Sequence, residues 1–76
     1  MTAKLLGRAI RIKRLESGLY QRALANKVGI SEATLCRYER GKADITVGHL
    51  TAIADALDTN IFEILQNAER YRDVMS

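Results

Sequence analysis

The sequence predicts an all-α fold, a compact domain of five short helices. The 76 residues include no Pro, no Trp and one Phe, and the apolar residues are mostly Ala, Leu and Ile. These apolar residues recur at helical spacing, and no stretch alternates for long between apolar and polar residues. A chain of this length makes one domain, residues 1–76, and buries only about 60% of its unfolded surface. An elaborate enzyme cleft is therefore not expected.

The first two helices are each marked by apolar residues with helical spacing. Gly18 is placed to end a first helix over residues 4–17. Leu19 follows as an apolar plug, and a second helix is predicted from residue 20 or 21 to about residue 28. The apolar positions of the first helix are Leu5, Leu6, Ala9, Ile10 and Ile12.

The segment 21–41 is predicted to be two short helices joined by a tight turn. Gly29 can adopt a positive φ at no steric cost, so the chain can reverse before Ser31 caps a third helix. Gly41 ends that helix in the same way. The apolar residues of this segment are placed to face one core, and they are Leu24, Ala25, Val28, Ile30, Leu35 and Tyr38. Such a segment is a helix-turn-helix.

Two further helices are predicted after a loop. Thr46 caps the fourth helix, and residues 58–59 break it. A fifth helix is expected over about residues 60–74, because Asn60 and Glu63 have the N-cap to N3 spacing of a capping box. The predicted buried face of the fourth helix is Val47, Leu50, Ile53, Ala54 and Leu57.

Charge is distributed unevenly along the chain. Residues 1–42 contain ten basic and three acidic residues, a net charge of +7, whereas residues 43–76 contain two basic and six acidic residues, a net charge of −4. A basic half of this kind is typical of a polyanion-binding surface, and the other half then serves another purpose such as pairing. For any single charge the alternative is an ordinary solvated helix face.

Several classes of protein are excluded by composition. The single Cys36 cannot form an internal disulfide, and Cys and His are too few for a zinc site, so neither metal nor cofactor is expected. No nucleophile and base share one motif, which argues against an enzyme. No apolar run approaches the roughly 18 residues of a membrane span, and the start of the chain lacks a signal peptide. We therefore expect a cytoplasmic protein.

Residues 6–65 resemble the five-helix DNA-binding domain shared by phage repressors and Cro, restriction-modification controller proteins and many small bacterial regulators. The matching residues are Arg14 with Gly18-Leu19, Gln21 with Leu24-Ala25, Val28-Gly29-Ile30-Ser31, Tyr38-Glu39-Arg40-Gly41-Lys42, and Leu50 through Ala56-Leu57 to Ile64-Leu65. The resemblance implies a transcriptional regulator, bacterial or phage-encoded, that is bound to the nucleoid when it occupies double-stranded DNA.

The resemblance also assigns contacts with the DNA backbone. Gln21, the first residue of the second helix, corresponds to a Gln that lies over a phosphate. Tyr20 and Arg22 replace a common Ser or Thr and a common Glu, and both changes favour binding to a polyanion. The expected phosphate contacts are Gln21, Tyr20, Arg22, Ser31, Arg40 and Lys42, with Lys4, Arg8, Arg11 and Lys27 as further candidates.

The third helix corresponds to the recognition helix, whose expected base contacts are Glu32, Ala33 and Arg37, with Thr34 and Cys36 at the margin. Arg37 can donate to both acceptors of a guanine, a pairing that discriminates by about 1 to 3 kcal/mol, or it can clamp a phosphate. Ala33 can contact a thymine methyl group. Glu32 either accepts from a cytosine amino group or pairs with a nearby Arg and rejects other sequences. Cys36 is either a small filler on the outer side of the helix or a redox switch.

Two structural roles complete the prediction. The resemblance implies that Arg14 and Glu39 form an internal ion pair between the first and third helices. The fifth helix is more apolar than one small core needs, and Phe62 replaces a commonly acidic residue. We expect Phe62, Leu65, Ala68 and Tyr71 to form a two-fold interface, unless this tail packs only on its own domain.

The functional prediction is a homodimeric, sequence-specific transcriptional regulator that binds an inverted-repeat operator. Its third helix would enter the major groove, and the two recognition helices of the dimer would lie roughly 34 Å apart. No small-molecule effector and no membrane partner are expected. The alternative is a protein-interaction module of the same fold, such as an adaptor or the antidote of a toxin pair, with weak or no specific DNA binding.

Overall fold

The computed structural model describes residues 1–72, and in this range the chain is all-α, with five helices and no strand. The helices are α1 (Ala3–Glu16), α2 (Gln21–Val28), α3 (Glu32–Glu39), α4 (Val47–Ala56) and α5 (Ile61–Arg70). Each predicted helix is present, which confirms the predicted fold class. The expected extension of the last helix to residue 74 includes positions 73–74, which lie outside the described residues.

Four of the five helices begin with a side-chain N-cap. In each case an oxygen of the cap accepts a hydrogen bond from the backbone N–H three residues later, which stabilises a helix by about 1 kcal/mol. The pairs are Thr2 with Leu5 at 3.1 Å, Ser31 with Thr34 at 3.0 Å, Thr46 with His49 at 3.0 Å and Asn60 with Glu63 at 2.9 Å. α2 is the exception, because Tyr20 at its N-cap makes no side-chain cap hydrogen bond.

A residue in the left-handed backbone conformation ends α2, and a second one lies just beyond the end of α4. Gly29, with φ at 83°, lets the chain turn between α2 and α3, and the N–H groups of Gly29 and Ile30 both donate to the Ala25 carbonyl at 2.9 and 3.1 Å. After α4, Asp58 adopts the same conformation, with φ at 54°. A side chain at positive φ is strained, so this turn stores a small amount of energy.

One core joins all five helices. The largest side chains that are fully buried come one from each helix, and they are Ile10, Leu24, Leu35, Ile53 and Ile64. The predicted buried face of α4 is correct from Leu50 onward but wrong at Val47, whose side chain is 76% exposed. Val47 is the first residue of α4, and no other part of the described chain covers that side of the first turn.

α1 crosses the C-terminal end of α3 in very close contact. A Cβ atom on Gly7 would lie 2.1 Å from the carbonyl oxygen of Tyr38 and 2.8 Å from that of Glu39. Only a residue without a side chain lets the two backbones approach this far. The contact fixes α1 beside the end of α3, and this arrangement positions the site described below.

Candidate nucleic-acid interface

α3 lies at the surface with one side in the core. Leu35, Tyr38 and Glu39 are buried, whereas Glu32, Ala33 and Arg37 are exposed. The three principal predicted base contacts therefore share the outer side of one helix, as a helix that enters a groove requires. Thr34 and Cys36, the marginal candidates, are half-buried.

The buried carboxylate of Glu39 holds three elements together. Arg14 on α1 donates to it twice, from Nε to Oε2 at 2.7 Å and from Nη2 to Oε1 at 3.0 Å. The remaining Nη1 donates to the Leu19 carbonyl at 2.8 Å. Both side chains of the pair are nearly inaccessible, at 8% and 1% exposed. The predicted ion pair is thus present, in the bidentate geometry that gives the strongest charge-assisted hydrogen bonds.

Gln21 belongs to the same network. Its side-chain Nε2 donates to Glu39 Oε1 at 2.9 Å, so the amide nitrogen faces inward rather than outward. Gln21 is also the first residue of α2, and the neighbouring Tyr20 is exposed and leaves the first turn without a side-chain cap. The free N–H groups of that turn are donors that an anion such as a phosphate can accept from.

Glu32 has an arginine partner. Its Oε2 accepts from Arg22 Nε at 3.2 Å, which joins the N-terminal turns of α2 and α3. Of the two roles that the sequence leaves open for Glu32, this contact favours pairing with a nearby Arg. Both side chains are well exposed to solvent, so the pair adds little to stability.

A short chain of hydroxyl groups orients Arg37. Its Nη2 donates to Thr34 Oγ1 at 3.2 Å, and Ser31 Oγ donates to the same oxygen at 2.8 Å. Ser31 thus caps α3 and also contacts the residue that supports Arg37. The guanidinium is held along the outer surface of α3, with donors left to meet a partner.

Cys36 does not lie on the outermost surface of α3. Its side chain is half-buried and lines a groove of about 590 Å³ between α3 and α1. Cys36 follows Glu32 by four residues and Ala33 by three, so it shares their side of α3. Its two possible roles, a small filler and a redox switch, stay predictions.

A contact between α3 and α4 could not be found from the sequence. The hydroxyl of Tyr38 and Nδ1 of His49 share a hydrogen bond of 2.6 Å, although the two residues lie on different helices. Their rings are tilted, with centroids 5.8 Å apart. This contact ties the C-terminal part of α3 to α4.

The predicted interface residues on α5 separate into two groups. Phe62 is 83% exposed and lies with the half-buried Leu65 on a shallow apolar surface. Ala68, by contrast, lies in the core of the chain and is 0% exposed. Its side chain cannot contact a second subunit, so the prediction that Ala68 belongs to the interface is wrong. Tyr71 packs partly against the core. Met1 also lies on this apolar surface. The sequence did not predict its place there, because Met1 comes near α5 only through the packing of α1 on α5.

Within residues 1–72 no helix is long and apolar enough to cross a membrane, and no group of three or more His, Cys, Asp and Glu residues is placed to hold a metal.

An α2–turn–α3 unit with an exposed α3 can be compared with known proteins. The model of the helix-turn-helix family matches residues 10–64, which include all of α2, α3 and α4. The chain belongs to the helix-turn-helix family. An uncharacterised HTH-type transcriptional regulator of Rickettsia conorii is 38% identical to it over 72 residues, which are 91% of this chain and 58% of the relative. The helix-turn-helix chain thus spans somewhat more than half the length of that relative.

Solved structures give the same result for the fold. The clp gene regulator ClgR of C. glutamicum has a TM-score of 0.89 at 27% identity, covering 92% of this chain and 90% of that one. The restriction-modification controller C.AhdI of Aeromonas hydrophila has a TM-score of 0.79 at 27% identity, covering 82% and 94%. The DNA-binding domain of the P22 C2 repressor has a TM-score of 0.78 at 29% identity, covering 86% of each chain. The predicted resemblance to repressors and controller proteins is confirmed, and family membership agrees with the expectation that the chain is not an enzyme.

Proposed function

We propose that this helix-turn-helix protein is a sequence-specific transcriptional regulator that binds double-stranded DNA as a homodimer. In this proposal α3 enters the major groove of each half of an inverted-repeat operator. The observation that carries it is the outer side of α3, where Glu32, Ala33 and Arg37 are exposed while Leu35 and Glu39 anchor the helix. A helix fixed in this way presents its side chains to base edges at little cost in conformational entropy.

The three exposed residues of α3 have distinct tasks in the proposal. Arg37 donates to the O6 and N7 atoms of a guanine, and the hydroxyl of Thr34 orients it. Ala33 contacts the methyl group of a thymine. Glu32, paired with Arg22 in the free protein, excludes base pairs that place a hydrogen-bond acceptor against its carboxylate. Specificity then comes from one attractive and one repulsive group on the same helix.

Phosphate contacts flank α3 on both sides. On one side are Tyr20, Gln21 and Arg22, where the first turn of α2 offers free N–H groups. On the other side are Arg40 and Lys42, which follow the end of α3 and are exposed. Ser31 caps α3 next to the first group. Contacts of this kind position the protein on the duplex, whereas α3 alone carries the sequence information.

The proposed dimer forms through the apolar surface of Met1, Phe62 and Leu65, with Tyr71 at its edge. Phe62 is the strongest support, because a side chain of that size left 83% exposed on a helix of this small domain gains about 1.5 to 3 kcal/mol when a second copy covers it. The occupant we propose is a second copy of the same chain, which generates a two-fold axis and therefore an inverted repeat.

The proposed function uses no cofactor, metal or small-molecule effector. Occupancy of the operator changes access of polymerase to the promoter, and control comes through protein concentration and dimerisation. The site of action is bacterial DNA in the cytoplasm, with the protein on the nucleoid when bound.

A gel shift at low salt tests the proposal against the protein-interaction alternative. Wild-type protein is titrated onto a duplex of random sequence, with Arg37→Ala as the test variant and Arg70→Ala, an exposed cation on α5, as its charge-matched control. We expect retardation for the wild type and the control, and weaker retardation for the variant. No retardation of the wild type would favour the interaction module.

A further inference from the structure

α1 connects the helix of the proposed dimer surface to the helix proposed to enter the major groove. It packs against both α5 and α3. Phe62 and Leu65 of the proposed dimer surface belong to α5, and Met1, close to the start of α1, lies on the same surface. A movement of α1 relative to α3 would therefore change the distance between the two copies of α3 in the proposed dimer.

Two contacts between backbones join α1 to the end of α3. At Gly7 a Cβ atom would lie 2.1 Å from the Tyr38 carbonyl oxygen. At Gly41, just beyond the end of α3, a Cβ atom would lie 2.6 Å from Cα of Lys4 and 2.9 Å from its backbone nitrogen. The N–H of Gly41 donates to the Tyr38 carbonyl at 3.1 Å, so Gly41 is fixed to α3. We call the contacts at Gly7 and Gly41 the glycine clamp.

The glycine clamp is stiffer than a contact made through side chains. Backbone atoms in direct contact have no rotamers to change, whereas a side chain between two helices can adopt another rotamer. Lys4 and Gly7 lie about 4.5 Å apart along α1, so α1 is held at two points and cannot pivot about either one. α4 also packs on α5, and it is joined to α3 by the Tyr38–His49 hydrogen bond, which is a contact between side chains.

We infer that the glycine clamp sets the spacing between half-sites that the dimer accepts. This inference rests on the proposed function, because it needs two copies joined through α5 and a copy of α3 in each half-site. One inserted base pair moves a half-site by about 3.4 Å along the duplex and rotates it by about 34°. A dimer whose α1 cannot pivot does not follow this movement and loses the contacts of one half-site. Gly7 and Gly41 are then positioning residues that determine specificity without contact with DNA.

The test compares three variants with the wild type on two duplexes. Both duplexes carry the inverted repeat selected by the wild type, one with its own spacing and one with a single base pair inserted between the half-sites. Gly41→Ala opens the clamp, and Thr2→Ala removes the hydroxyl that accepts from the Leu5 N–H and holds the first turn of α1. Gly48→Ala is the matched control, because its new Cβ has nothing within 4 Å. Circular dichroism confirms that each variant is folded, and sedimentation confirms that each forms the same dimer.

The quantity measured is the ratio of the dissociation constants for the inserted and the original spacing. Each protein is its own reference, so a general loss of stability or affinity cancels. We expect a ratio of about 100 or more for the wild type and Gly48→Ala, because the lost half-site contributes several base contacts that are each worth about tenfold. For Gly41→Ala and Thr2→Ala the ratio should be at least about fivefold smaller, since loss of a cap makes a loosened first turn about fivefold more populated.

Ratios for Gly41→Ala and Thr2→Ala equal to that of Gly48→Ala would overturn the inference while the proposed function stands. If Gly41→Ala does not fold, the ratio for Thr2→Ala alone decides. Equal affinity of the wild type for the two duplexes would also overturn the inference alone. Failure of the wild type to select or bind an inverted repeat would overturn the proposed function as well.

Discussion

Gln21 donates its side-chain amide to Glu39 at 2.9 Å, so the first residue of α2 is tied to the last residue of α3. The same carboxylate holds Arg14, which is buried. One acidic side chain therefore fixes the relative orientation of α1, α2 and α3, and with it the spacing between the proposed phosphate and base contacts.

Replacement of Glu39 should destabilise the whole domain. In Glu39→Ala the guanidinium of Arg14 remains buried without its partner, and breaking such a pair costs about 3 to 5 kcal/mol. We expect a fall in melting temperature of more than 10 °C, measured by circular dichroism. Glu69→Ala, which removes an exposed carboxylate paired with Arg72, is the control and should change little. An unchanged melting temperature for Glu39→Ala would contradict this account.

Two glycine-to-alanine changes should have opposite effects. In Gly7→Ala the new Cβ would meet the Tyr38 carbonyl oxygen at 2.1 Å, so α1 must move away from α3 and the domain should lose stability. In Gly48→Ala the Cβ meets nothing within 4 Å, and alanine in α4 should add about 0.5 to 1 kcal/mol. Urea unfolding of both proteins measures the difference, and equal midpoints would be evidence against the close contact of α1 with α3.

Asp58→Gly should stabilise the domain. Asp58 has φ at 54°, a conformation that costs a residue with a side chain about 1 to 2 kcal/mol and glycine almost nothing. Part of that gain is lost to the greater freedom of glycine in the unfolded chain. We expect a rise of a few degrees in melting temperature, whereas Asp55→Gly, inside α4, should lower it. A fall for Asp58→Gly would indicate that its side chain makes an unrecognised contact.

Phe62→Ser should convert the proposed dimer into a monomer. The proposed two-fold interface would contain two copies of Phe62, and the loss of about 1.5 to 3 kcal/mol for each would raise the dissociation constant more than a hundredfold. Sedimentation at micromolar concentration distinguishes the two states. Val47→Ser, which changes another exposed apolar residue, should remain dimeric. A monomeric wild type would refute the interface.

Local sequence features were sufficient to predict the helices. Side-chain caps such as Ser31 and Thr46, and glycines such as Gly29, act on neighbouring residues, so helix ends can be found without knowledge of the fold. Ala68 was predicted to lie at an interface and is buried, and Val47 was predicted to be buried and is exposed. Periodicity gives the apolar side of a helix but not which neighbours cover it.

Contacts between helices were harder to predict. The Arg14–Glu39 pair followed from resemblance to a known family and is present in the structure. The Arg22–Glu32 contact joins residues ten positions apart and was one of two open alternatives for Glu32.

Selection of bound sites from randomised DNA tests the central proposal most directly. For the wild type we predict an enriched inverted repeat whose half-sites lie about 10 base pairs apart, centre to centre. Arg37→Ala should lose the preference at one base pair of each half-site, worth about 1 to 3 kcal/mol, and keep the others. Enrichment of no sequence, or of sequences without two-fold symmetry, would contradict a dimeric regulator that recognises its operator through α3.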